Sequence, residues 1–151
     1  MIIDRLEGSR RAIKGTLFEA IVRKHLSAIF ARHALKLTVA DAEIRLHGET
    51  YDVSVVGGGG RILIPVKTRE TMGGGHAGIF TRDIHKSIRA AHEAGFECLP
   101  VIIAESWVAD LKALDCKDQI YIDRNPNQIK EVEPLLAAEL EKRLEVFKSV
   151  K

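Results

Sequence analysis

A carboxylate at Asp52 and an ammonium at Lys67 can meet if the chain between them doubles back. Residues 51–56 (Tyr-Asp-Val-Ser-Val-Val) and 61–67 (Arg-Ile-Leu-Ile-Pro-Val-Lys) are strand-like runs separated by four glycines, 57 to 60, which predicts a hairpin. If Val56 lies opposite Arg61, Asp52 faces Pro65 and Thr50 faces Lys67. Side chains alternate along a strand, so Asp52 and Ser54 share a face with Pro65 and Lys67, while Val53, Val55, Ile62, Ile64 and Val66 form the core face. Asp52 and Lys67 are then diagonal neighbours with Cα atoms about 7 to 8 Å apart, a gap a long lysine can close. Such a pair suits phosphodiester hydrolysis. The carboxylate can hold a hard divalent cation, and the lysine can lower the pKa of an attacking water or stabilise charge on the phosphorus oxygens.

The bland alternative is that Lys67 guards a sheet edge against unwanted pairing. The surrounding elements decide how much weight the pair carries. Leu17, Phe18, Ile21, Val22, Leu26 and Ile29 recur at helical spacing and predict a helix over 9–33 with Ser9 near its cap. A first strand falls somewhere within 34–46. After the hairpin comes a glycine-rich stretch over 68–78, then a helix over 83–94 that Gly95 can end in the left-handed conformation. Residues 98–104 form an apolar run that suits a strand buried on both faces and reached by the preceding crossover helix. A helix over 107–114, a short strand over 119–122 and a helix over 134–147 begun by Pro134 complete the order. The last helix either closes the domain or forms a dimer seam.

With 151 residues, 46% hydrophobic and 29% charged, the chain reads as one globular α/β domain with a mixed central sheet flanked by helices. Cys98 and Cys116 have no zinc spacing and read as reduced. The absence of any long apolar run argues against a membrane span and for the cytoplasm. A net charge of +2 permits a polyanionic partner without demanding one. Arg10, Arg11, Lys14, Arg23 and Lys24 concentrate positive charge near the amino end.

In this element order, with Asp52 and Lys67 at these places, the chain resembles the PD-(D/E)xK nuclease superfamily, which includes type II restriction endonucleases and archaeal-type Holliday junction resolvases. The resemblance covers roughly residues 10–104. It implies a restriction endonuclease-like αβββαβ core with an Asp at the start of the second strand, matched by Asp52, and an acid-x-Lys on the third, matched by Lys67. The stretch 14–19 (Lys-Gly-Thr-Leu-Phe-Glu) looks like the opening of the resolvase first helix, which makes Glu19 the counterpart of the helical Glu. One position departs: the acid expected two residues before the lysine is Pro65. Glu70 and Asp83 are the available substitutes, Asp83 slightly favoured as the opening of the following helix. The family's main-chain carbonyl ligand corresponds to Val66.

The resemblance therefore implies a Mg²⁺-dependent endonuclease acting on DNA, restriction-type or junction-cleaving, with Mn²⁺ as a substitute metal. Asp52, Lys67 and Glu19 carry the catalytic role, and Asp52, Val66, Glu70 and Asp83 are the candidate metal ligands. Arg10, Arg11, Lys14, Arg69, His76 and Arg82 are candidate nucleic-acid contacts. A double-strand cut requires two sites, hence an expected homodimer. The rivals are a nuclease fold that binds nucleic acid without cutting, which Pro65 favours, and an interaction module with no nucleic-acid role. A half-buried border position is expected for Glu19 and a hydrogen-bonded core position for His25, with Trp107 in the core.

Overall fold

The computed structural model describes the backbone of residues 2–40, 42–70, 76–107 and 111–151, and the side chains of these residues from 16 onward except 76 and 77. Helix α1 (Ile2–Arg32) is followed by β1 (Thr38–Ala40), β2 (Ile44–Leu46), β3 (Glu49–Tyr51), β4 (Ser54–Gly57), β5 (Gly60–Leu63) and β6 (Val66–Arg69). Helix α2 (His76–Glu93), β7 (Glu97–Cys98), β8 (Val101–Ala104), a 3-10 turn (Leu111–Ala113), β9 (Ile120–Ile122), α3 (Ile129–Lys142) and α4 (Leu144–Lys148) complete the order. Ser9 lies inside α1 rather than at its cap, because the preceding residues are mostly adequate helix formers that extend it. Among the described residues no helix is long and apolar enough to cross a membrane.

The glycine hairpin holds the expected register, with Val56 opposite Arg61 and Ser54 opposite Leu63. The Ile64 amide donates to the Val53 carbonyl at 3.0 Å, carrying the pairing one step further. Beyond that step the two strands part. Tyr51 pairs with Ile44 and Thr50 with Arg45 in the β2–β3 hairpin, so Thr50 does not face Lys67 as the register alone predicts. That second hairpin turns through His47 and Gly48, both at positive φ (50° and 81°), the backbone a two-residue type I′ turn requires. His-Gly is a weaker cue than Asn-Gly, which is why 34–46 reads as plain extended chain in the sequence.

The other strand continues without its partner. β5 and β6 pair in parallel with β7 and β8 at one unchanged offset, from Ile62 with Glu97 to Lys67 with Ile102. That offset places Pro65 opposite Pro100. Proline has no amide to donate, so the ladder is interrupted there, yet the Val101 amide still reaches the Pro65 carbonyl at 2.9 Å. β9 extends the pairing in parallel on the far side of β8. The result is a mixed sheet, antiparallel at β1–β4–β5 and parallel beyond.

Each face of this sheet carries its own core. Val53, Val55, Ile62, Ile64, Leu99, Val101 and Ile103 pack against α1, α3 and α4 through Phe18, Val22, Leu26, Leu136, Leu140 and Phe147. Leu63, Ile102 and Ala104 pack on the opposite side against Phe80, Ile84, Ile88 and Ala91 of α2. The face holding Ser54 and Pro65 is thus buried too, a correction to the expectation of a single core face. Helix α2 begins at His76 rather than Asp83, because Phe80 extends its apolar stripe by a turn and packs edge-on against Trp107. It ends as expected: Gly95 at φ 86° donates to His92, and the Phe96 amide reaches Ala91, the Schellman pattern.

Trp107 is buried as expected, but the described part of 107–114 is only the 3-10 turn; residues 108–110 lie outside the described residues. The final helix begins at Ile129, leaves Pro134 in its interior, and breaks at Arg143. Its buried leucines close the domain on α1, so this stripe is spent within one chain. His25 is half-buried and hydrogen-bonded to Glu133 across that interface at 3.1 Å. One heptad and one residue later, Arg32 and His33 grip Glu141 at 2.6 and 2.7 Å. Cys98 and Cys116 are free thiols.

The glycine turn has a second use. A Cβ on Gly57 would stand 1.9 Å from the Val150 carbonyl oxygen, and the Gly59 amide donates to that same oxygen at 3.0 Å. Gly57→Ala should therefore lower unfolding stability by about 1–3 kcal/mol in denaturant titration, the ordinary cost of overpacking. Gly58→Ala, with nothing within 4 Å of the added carbon, should shift it by no more than about 0.5 kcal/mol.

Candidate functional site

The site occupies the gap where β4 turns away and β6 continues. Asp52 sits at the parting point, half-buried, between β3 and β4. Helix α1 brings two side chains to it. Arg23 donates from its guanidinium to the Asp52 carbonyl at 3.1 Å, and the Glu19 carboxyl is close enough to Asp52 for that carboxylate to raise its pKa. Glu19 and Arg23 are one helical turn apart, so they lie together on α1. Glu19 occupies the half-buried border of the apolar stripe, as its spacing predicts.

Two acids cannot both ionise easily at such a point. Partial burial, then the Asp52 charge, push the Glu19 carboxyl up to about 7, against the opposing pull of Arg23 and Lys67. Glu19 and Asp52 are thus neighbours, while the side-chain partner of Lys67 is Asp83 on α2.

Lys67 is largely buried, its side chain 18% exposed, and its ammonium donates to the Asp83 carboxylate at 3.0 Å. Asp83 lies two turns into α2, not at its opening. Its position beside the lysine makes it first a partner for that charge. Val66 lies on the edge of the gap: since the Pro65 carbonyl accepts from Val101, the alternation of an extended strand turns the Val66 carbonyl the other way, toward the side on which Asp52 lies. Glu70 follows β6, and its main-chain carbonyl accepts from the Asn125 amide at 3.1 Å.

Among the described residues, no three His, Cys, Asp or Glu side chains gather closely enough to hold a metal by themselves. Two carboxylates and a carbonyl nevertheless suit Mg²⁺, which keeps several waters and commonly binds through one or two carboxylates plus substrate phosphates. Pro65 supplies none of this. It is buried, and its place in the acid-x-Lys pattern is filled by no other side chain on the same strand.

The remaining sequence candidates are distributed differently. Arg69 ends β6 and Arg82 is exposed on α2. Arg10, Arg11 and Lys14 fall in the first half of α1 and His76 is the first residue of α2; their side chains lie outside the described ones. Arg23 is the site residue sequence reasoning left out of the cluster. Its spacing of four from Glu19 was the signal that could have found it.

The raised Glu19 pKa has a signed consequence for stability. The folded state holds this proton more tightly than the unfolded chain, so folding stability is full below about pH 4.5 and declines as pH rises through about 7. Asp52→Asn should lower the Glu19 titration only part of the way, since burial remains, read by carboxyl carbon chemical shift, and should shallow that arm of the stability profile accordingly. An unchanged Glu19 titration in the variant would show that the Asp52 charge does not act on Glu19. The chain matches no protein-family model, no curated protein and no solved structure.

Proposed function

We propose that this chain is a Mg²⁺-dependent endonuclease acting on DNA, on a restriction endonuclease-like core formed by α1, β1, β4, β5–β6, α2 and β7–β8. The observation that carries the reading is the parting of the strands at Asp52, which Arg23 holds from α1 beside Glu19, while Lys67 on the continuing strand is held by Asp83. The element order supports the fold, with three antiparallel strands after a helix and a fourth joined in parallel through a crossover helix.

In this reading Asp52, Glu19 and the Val66 carbonyl hold the cation. A cation held there would supply Lewis acidity toward a phosphate oxygen and an attacking water. Arg23 fixes the Asp52 main chain, which limits how far the carboxylate can swing. Lys67 faces the developing charge on the phosphorus oxygens, and Asp83 orients it through the 3.0 Å hydrogen bond. Mn²⁺ is expected to substitute for Mg²⁺, and a double-strand cut calls for two copies of the chain.

A second reading has its own observation. Pro65 removes a ligand, which favours a nuclease fold that binds nucleic acid without cutting. Incubation with supercoiled plasmid and with a four-way junction separates the two. Cutting is expected in Mg²⁺ and Mn²⁺ and none in EDTA. Lys67→Ala and Asp52→Asn should each reduce the rate by about 10²–10³-fold, the usual cost of removing one preorganised charge. Binding with no cutting in either metal would establish the second reading. Equal cutting by Lys67→Ala would overturn the mechanism.

A further inference from the structure

The outward face of α2 carries a row of cations. Its exposed positions are 78, 79, 82, 86, 89 and 93, a single stripe at helical spacing, and three consecutive positions of that stripe are Arg82, Lys86 and Arg89. Elsewhere most cations are engaged: Lys24 with Glu133, Arg32 with Glu141, Lys117 with Glu97, Arg124 with Glu131 and Arg143 with Asp118. None of Arg82, Lys86 and Arg89 has a carboxylate partner among the described residues. The acids on the same helix are taken, Asp83 by Lys67 and Glu93 by His47.

From Arg82 to Arg89 the helix rises about 10 Å at 1.5 Å per residue. Duplex DNA presents one phosphate per 3.4 Å of axis on each strand, so about three phosphates of one strand fall along that length. The helix is rigidly seated, because Phe80, Ile84, Ile88 and Ala91 anchor its other face in the core. The same burial argues against a membrane surface, since the apolar face that would enter a bilayer is already covered. A protein partner is poorly served as well: Ile79 is the one large apolar side chain exposed on the stripe, at 60%, and interfaces rely on a cluster of such anchors.

We infer that Arg82, Lys86 and Arg89 form a phosphate-backbone tract that holds duplex DNA along α2 and leads it to the Lys67 cluster, one residue from Asp83. This rests on the nuclease reading for the identity of the ligand, but not on catalysis. Phosphate contacts of this kind position a duplex without reading its sequence.

The test is the salt dependence of binding of the full chain to a fluorescent duplex in EDTA, so that cutting plays no part. Three phosphate contacts contribute about 2.7 to the slope of log affinity against log salt, at 0.9 per contact. The triple variant Arg82→Gln, Lys86→Gln, Arg89→Gln should bind more weakly and lose about that much of the slope. A charge-matched variant, Lys36→Gln, Lys130→Gln, Lys151→Gln, removes three exposed cations elsewhere and should leave the slope within about 1 of the wild type. All six positions are exposed, so both variants should unfold at the wild-type temperature. Equal loss in the two variants would reduce the effect to net charge and overturn the tract. So would an unchanged slope in the first variant, even if the wild type cuts DNA, which would leave the nuclease reading intact. Wild-type failure to bind duplex, with capture of anionic vesicles or an acidic polypeptide that the first variant loses, would also overturn it.

Discussion

Proline 65 cannot donate a hydrogen bond, and the arrangement of the site follows from how the sheet accommodates it. The strand that contains it is held on one side by β4 up to Ile64 and on the other by β7–β8 throughout. The parallel pairing keeps a single offset across Pro65 and Pro100, so the lost bond does not become a register slip. A slip of one residue would turn Lys67 to the opposite face of the sheet. The antiparallel partner, by contrast, leaves at this point to form the β2–β3 hairpin. One strand departs while the other continues, and the opening between them is where Asp52, Val66 and Lys67 lie.

The opening is closed off from behind by helices on both sheet faces, and each supplies something to it. Helix α1 contributes Glu19 and Arg23 and is clamped to α3 through Glu133 and Glu141. Those clamps are surface pairs, each worth little alone; burial of Phe18, Val22 and Leu26 does most of the work of fixing α1. Helix α2 contributes Asp83 to Lys67 from the other side and turns Arg82, Lys86 and Arg89 outward. The cluster is therefore assembled from both layers, and a shift of either helix would separate its charges.

The carboxyl pair is a source of local tension. Burial first, and the Asp52 charge beside it, push the Glu19 carboxyl up to about 7. Placing like charges side by side in a half-buried site costs folding free energy at neutral pH, a cost associated with functional sites more often than with structural ones. Arg23 and Lys67 moderate the repulsion without abolishing it.

The local features of the chain were legible without any structure because they depend on neighbours in sequence. Alternation and four glycines specify the hairpin register, Gly95 specifies the end of α2, and helical spacing puts Glu19 at the border of α1. The register carried Asp52 only to the point where the strands part, and Glu19 was singled out only through the likeness to a known pattern. Other features depended on contacts distant in sequence. The hairpin through His47 and Gly48, the burial of the Ser54 and Pro65 face, the longer α2 and the Asp83 hydrogen bond all arise from the packing of α2 and Trp107 over the second sheet face. Periodicity tells which residues share a face. Which faces find a covering layer, and which charged groups that layer carries to the sheet, is decided when the elements pack.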